Sequence, residues 1–303
     1  MELAFLGPET LSRVLSMADA MEALEDSLSG SDIHAPDRSH LDTGTGDLLL
    51  MPAWADDVAG VKLVTVAPGN PKRGLPLIQG VYVLFEQPTL TPVALFDATA
   101  LTALRTGAVS GVATKHLARE DASYLVIFGA GVQAHAHLDA MVAAREIDKV
   151  RVVSRSPDRA RALAEKATAM GLDADVRSAE VVRRAGIVCT CTTSPEPVFD
   201  GKLLSPGVHI NAIGSYTPSA RELDDFVMDH ATVVVDTRAA LNESGDLVVP
   251  IEDGRIAADD VRDLATVVKE GAGRGSDGEI TVFKSVGAAF EDLVVARAAA
   301  RRL

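Results

Sequence analysis

Six residues, Gly129-Ala130-Gly131-Val132-Gln133-Ala134, place small side chains at the G-x-G-x-x-A spacing that brings a backbone against a pyrophosphate. The apolar run Tyr124-Leu125-Val126-Ile127-Phe128 stands before them and a helical pattern follows, the setting that gives this spacing its meaning. Gly129 makes the tight turn, Gly131 admits the phosphates to the positive end of the helix, and Ala134 is the small residue where helix meets strand. With Val132 and Gln133 in the same turn, the segment predicts a dinucleotide site. The next strand ends in Ser154-Arg155-Ser156. An NAD site usually places Asp or Glu there to hold the ribose hydroxyls, whereas here no acid repels a phosphate and the Arg155 fork can bind one. NADPH is therefore the predicted cofactor, with NADH left open. Lys62 stands among Val61, Leu63 and Val64, so its ammonium must either reach the surface or meet an anion. Cys189 and Cys191 are two apart in a predicted strand, with no His or further Cys at ligand spacing, and read as core thiols; no metal is expected.

The elements that must position these residues follow from periodicity. Residues 9–29 carry apolar side chains at three- and four-residue steps, the pattern of one amphipathic helix. From 47 to 97 short apolar runs alternate with turn formers, as strands and hairpins do. Residues 99–118 return to helical texture, with Gly107 and Gly111 four apart, small enough for tight packing or for a ligand's phosphates. Strand and helix patterns then alternate, which implies a parallel sheet with crossover helices between about 113 and 283. SAEVVRRA reads as one of the intervening helices, and TVFKSVGAAFEDLVVARAAARRL, from 281 to the end, as a closing helix.

With 303 residues, 47% of them hydrophobic and 24% charged, the chain can build two globular domains and is far from a disordered composition. A formal charge of -14 argues against nucleic acid as a partner, since phosphate backbones need a basic face. No run approaches the roughly 20 apolar residues that cross a bilayer, and the amino end lacks a basic start with a sustained apolar run. A cytoplasmic protein without membrane attachment is expected.

MPAW at 51–54, VKLVT at 61–65, GLPLIQG at 74–80, LTALRTGAVS at 101–110, GAGVQAHAH at 129–137, INAIGSYTPSARELD at 210–224 and TVFKSVGAAFEDL at 281–293 together give a resemblance. The chain resembles the ornithine cyclodeaminase and mu-crystallin family over nearly its whole length. The resemblance implies an α/β fold in which a Rossmann-type parallel-sheet domain, 113–283, is inserted in a second α+β domain, 1–112 completed by 284–303, that binds substrate and forms a homodimer. It implies hydride exchange between nicotinamide and the α-carbon of an amino or imino acid. Arg38, Lys62 and Arg105 match positions that look like the family's substrate-carboxylate binders, a role suited to cations because they can fix a carboxylate's orientation. Thr106, Thr192 and the Asn211-Ala212-Ile213-Gly214 turn look like cofactor contacts, with Ser285 beside the nicotinamide and Arg105 also near the phosphates.

One departure bears on the reaction. Cyclodeaminases of this family carry an Asp two residues after the glycine of the NAIG-like turn, and here Tyr216 stands there. A phenol with a reference pKa near 10 is a poor base at neutral pH. That weighs against a full cyclodeaminase cycle and leaves a single hydride step intact. The expected activity is thus an NAD(P)H-dependent reductase of cyclic imino acids such as pyrroline-2-carboxylate, or a related amino-acid dehydrogenase. The alternatives are an ornithine cyclodeaminase and a non-catalytic binder of NADPH and a small acid.

Overall fold

The computed structural model describes residues 3–30 and 32–303. It divides into two compact units, Met1–Arg105 with Ala288–Leu303, and Thr106–Gly287. The first junction falls inside one helix, where composition does not change, so sequence texture placed it at 112 instead.

In the first unit six strands make one sheet: β1 Ala4–Leu6, β2 Ser39–Asp42, β3 Asp47–Trp54, β4 Val58–Val66, β5 Ile78–Glu86 and β6 Thr91–Asp97. Their order is β1-β6-β5-β4-β3-β2, antiparallel except where β1 runs parallel to β6. Strand alternation sends Leu6, Met51, Ala53, Val64, Tyr82, Leu84, Ala94 and Phe96 to one buried face. The C-terminal helix, Ala289–Ala300, packs on β3, β4 and β5. The single helix expected over 9–29 is two, α1 Pro8–Val14 and α2 Met17–Gly30. Ser16 explains the break: its hydroxyl accepts the Asp19 N–H at 3.1 Å while the Asp19 carboxylate accepts the Ser16 N–H at 3.2 Å, a reciprocal cap that starts a new helix.

Helix α3, Ala98–Leu117, contains the junction and carries Arg105 and Thr106. The second unit is built on eight parallel strands: β7 Tyr124–Phe128, β8 Lys149–Val153, β9 Asp173–Val176, β10 Ile187–Thr190, β11 His209–Ala212, β12 Ala231–Val235, β13 Arg262–Asp263 and β14 Ile280–Lys284. Their order is β13-β12-β14-β11-β10-β7-β8-β9. From β7 the chain steps outward through β8 to β9, then returns to the other side of β7 with β10 and β11. The reversal between β7 and β10 opens the crevice at which Rossmann-type sheets receive dinucleotides. Helices α4 Val132–Ala144 and α5 Pro157–Ala169 follow β7 and β8. SAEVVRRA is a 3-10 helix, Ala179–Arg184, rather than an α-helix. The closing segment, expected as one helix, is strand β14 and then the C-terminal helix. Thr281, Val282 and Phe283 fit a buried parallel strand, and Gly287 at φ 83 supplies the left-handed turn between the two elements.

Candidate functional site

In the first unit, β4 presents Lys62 on the buried face of the sheet, where it is 3% exposed. The anion that such a cation requires is Asp292 on the C-terminal helix, 2.8 Å from Lys62 Nζ. Arg105 Nε lies 3.2 Å from the other oxygen of the same carboxylate, and Arg105 Nη1 pairs with Glu291. Two cations and two carboxylates are thus buried together. Burial pushes the Lys62 ammonium down to about 8, with Asp292 pulling it up and Arg105 pushing it down. Tyr82, opposite Lys62 in the β4–β5 register, belongs to the same face, and burial followed by Asp292 pushes its phenol well above its usual value. Arg38 is half-buried and lies just before β2. The structure therefore joins Lys62 and Arg105 through one carboxylate, and places Arg38 just before the edge strand of the same sheet. Glu291, Asp292 and Tyr82 escaped the sequence reading, although the first two lie inside the quoted GAAFEDL block, because nothing in helical periodicity says which strand a helix faces.

In the second unit a cleft of about 590 Å³ opens at the reversal point. Gly129, Gly131, Ser154, Arg155, Ser156 and Thr192, all expected as cofactor contacts, are among the residues that line it. Gly129 sits at φ 102, and a Cβ there would fall on the Cys191 carbonyl oxygen. Gly131 caps α4 without any side-chain cap, and a Cβ on it would meet nothing within 4 Å, so the space over the helix N-terminus is open to a phosphate. Ala134 is fully buried under that turn and Val132 is exposed beside it; Gln133 is half-buried. Arg159, Arg177 and Ser178 also line the cleft and were missed: Arg159 lies in the first turn of α5, and Arg177 follows a strand too short and polar to stand out. The chemistry of this lining fits a dinucleotide, with glycines for the pyrophosphate and arginines with serines for the adenosine end.

The other expected contacts lie outside the lining of this cleft. Asn211 is fully buried and its amide donates to Thr114 Oγ1 at 3.0 Å, so its side chain braces α3 from within the unit. Thr106 is buried in α3, and Gly107 and Gly111 are buried outside the cleft lining. Ile213 and Gly214 are half-buried in the turn after β11, where a Cβ on Gly214 would fall on the Thr192 carbonyl oxygen. Ser285 is 2% exposed and donates to Asp236 at 2.7 Å. Tyr216 stands in the following loop, 49% exposed.

Residues 6–302 match the Ornithine cyclodeaminase/mu-crystallin family. The chain belongs to this family. Among its relatives, the chain is 44% identical over 258 residues to a Delta(1)-pyrroline-2-carboxylate reductase of Bacillus cereus, covering 82% of this chain and 79% of that protein. Two solved structures of the ornithine cyclodeaminase/mu-crystallin fold superpose closely. Thermococcus litoralis Delta(1)-pyrroline-2-carboxylate reductase, in complex with NADH and L-proline, gives a TM-score of 0.93 at 35% identity over 99% of this chain and 97% of that one. An archaeal alanine dehydrogenase dimer with bound NAD gives 0.93 at 34% identity over 100% and 96%.

Proposed function

We propose that this family member is a nicotinamide-dependent reductase of cyclic imino acids carrying an α-carboxylate, with pyrroline-2-carboxylate as the representative substrate, or catalyses the related amino-acid dehydrogenase reaction. The observation that carries the reading is the buried pair Lys62 and Arg105, held on Asp292. Burying four charges is a poor device for stability, since desolvation offsets most of the mutual attraction. Such a cluster suits a site whose cations must be aimed before a carboxylate arrives. Lys62 keeps its proton below about pH 8 and serves, with Arg105 and Arg38, as the carboxylate clamp. Glu291 and Asp292 fix the two inner cations in place.

The dinucleotide, when bound in the cleft, supplies the hydride. Gly131 and the first turn of α4 receive its phosphates, and Arg155, with Ser154 and Ser156, selects the 2′-phosphate of NADPH. Tyr216 is a hydrogen-bonding wall rather than a base, since phenols are poor bases at neutral pH. The protein works as a homodimer, for which the outer face of the six-stranded sheet supplies the surface.

The test is to follow NADPH and NADH absorbance with pyrroline-2-carboxylate, and separately to supply ornithine with NAD. Imine reduction without ornithine conversion, and less than about tenfold loss in Tyr216→Phe, is the expected result. Ornithine giving proline and ammonia without imine reduction would replace the reading by a cyclodeaminase. Tight cofactor binding without turnover on any imine would replace it by a binding protein.

A further inference from the structure

Glu222 is fully buried in the second unit, yet its carboxylate is ringed by donors. Oε1 accepts the Thr192 N–H at 2.8 Å and the Thr192 hydroxyl at 2.7 Å. Oε2 accepts the Thr190 hydroxyl at 2.8 Å and the Gly214 N–H at 2.6 Å. One side chain thus ties the carboxyl end of β10 to the carboxyl end of β11. Its own place is set from behind: Asp246 accepts the Glu222 and Leu223 N–H groups at 2.8 and 3.0 Å and lies 3.2 Å from Lys284 Nζ. Asp246 and Lys284 are themselves fully buried.

The strand order says which end of a dinucleotide these loops serve. Arg155 and Ser156 follow β8, on the side of β7 that in Rossmann-type sheets receives the adenosine, and Gly131 is the phosphate site of the reading above. A nicotinamide half would therefore extend over β10 and β11, and Thr192 and Gly214 stand in the loops that follow those strands. We propose that Glu222 is the positioning residue for the nicotinamide half of the cleft, acting through Thr192 and Gly214. This rests on the dinucleotide reading above. Both loops present backbone N–H groups that would otherwise need water, and a carboxylate that accepts from both locks their spacing before the ligand arrives. A glutamine cannot replace it: one of its two head atoms is a donor and must face either the Thr192 or the Gly214 N–H.

The experiment measures dissociation constants by titration calorimetry for NADPH and for adenosine 2′,5′-bisphosphate, with NADH and ADP in parallel, in the unmodified protein and in Glu222→Gln. The expected result is at least about tenfold weaker binding of the whole dinucleotide, with the adenosine fragment unchanged within about twofold. Unchanged dinucleotide binding overturns the proposal, and so does equal weakening of dinucleotide and fragment, which is the mark of a merely structural role. If Glu222→Gln does not fold, Thr190→Val decides, because Thr190 is buried outside the cleft lining and touches the carboxylate. Selective weakening of the dinucleotide by about threefold supports the proposal, and no selective change overturns it. Failure of the unmodified protein to bind any of the four ligands overturns the dinucleotide reading itself, and this proposal with it.

Discussion

The residues that carry the proposed chemistry differ in how their charge is held. Lys62 is a buried ammonium near neutrality, so its protonation should show in the kinetics. Its folded pKa is depressed to about 8, hence it is charged below that pH and neutral above it. The expected profile of kcat/KM falls as pH rises through about 8, and Lys62→Met should be low and flat across the same range. Replacing Lys62 with Met or Arg105 with Leu should lower kcat/KM by about 10²–10⁴-fold, and the Lys62 variant should leave NADPH affinity nearly intact. Arg155 is an exposed residue that lines the cleft, at what is proposed to be its adenosine end. If it selects the 2′-phosphate, Arg155→Ala should lose about tenfold to hundredfold of an NADPH preference measured as a ratio of dissociation constants. Equal affinity for both cofactors in the unmodified protein would remove that role.

The turn between β7 and α4 separates two demands that look alike in the sequence. Gly129 is required by the fold, since its φ of 102 is strained for any other residue and a Cβ would meet the Cys191 backbone. At Gly131 the fold makes no such demand, since a Cβ there meets nothing of the protein, and the proposed phosphate site is what a side chain would encroach on. Gly129→Ala should therefore cost about 2 kcal/mol or more in stability, read by denaturant unfolding. Gly131→Ala should leave the unfolding midpoint unchanged and weaken dinucleotide binding, because its methyl group occupies the space open to the phosphates. The reverse pattern would contradict the placement of the pyrophosphate.

The whole molecule presents one feature that a lone chain leaves unexplained. The outer face of the six-stranded sheet carries rows of apolar side chains: Leu50, Leu63 and Val81 in one, Pro52, Val61, Val83, Leu95 and Phe5 in the next. Phe5 is 60% exposed and Val81 40%. Contiguous apolar surface of this kind marks an interaction face, and a second copy of the same sheet is its proposed occupant. Sedimentation at micromolar concentration should give a particle of twice 31.8 kDa, and Val81→Lys should shift it toward the monomer. A particle of 31.8 kDa in the unmodified protein would refute the dimer.

Sequence alone determined the Rossmann-type unit, because parallel strands buried on both faces read as continuous apolar runs and the glycine turn has fixed backbone requirements. Local chemistry likewise exposed Ser154, Arg155 and Ser156, and required an anion for Lys62 without naming it. The identity of that anion needed the packing of the C-terminal helix on β4, a contact between residues 230 positions apart in the chain. Tertiary structure also decided that Asn211 faces Thr114, that Tyr216 faces solvent, and that Glu222, one residue in a polar stretch, gathers the ends of two strands. Periodicity records which face of an element is apolar; which partner that face meets is settled only when the elements pack, and buried charges find their counterions at that step.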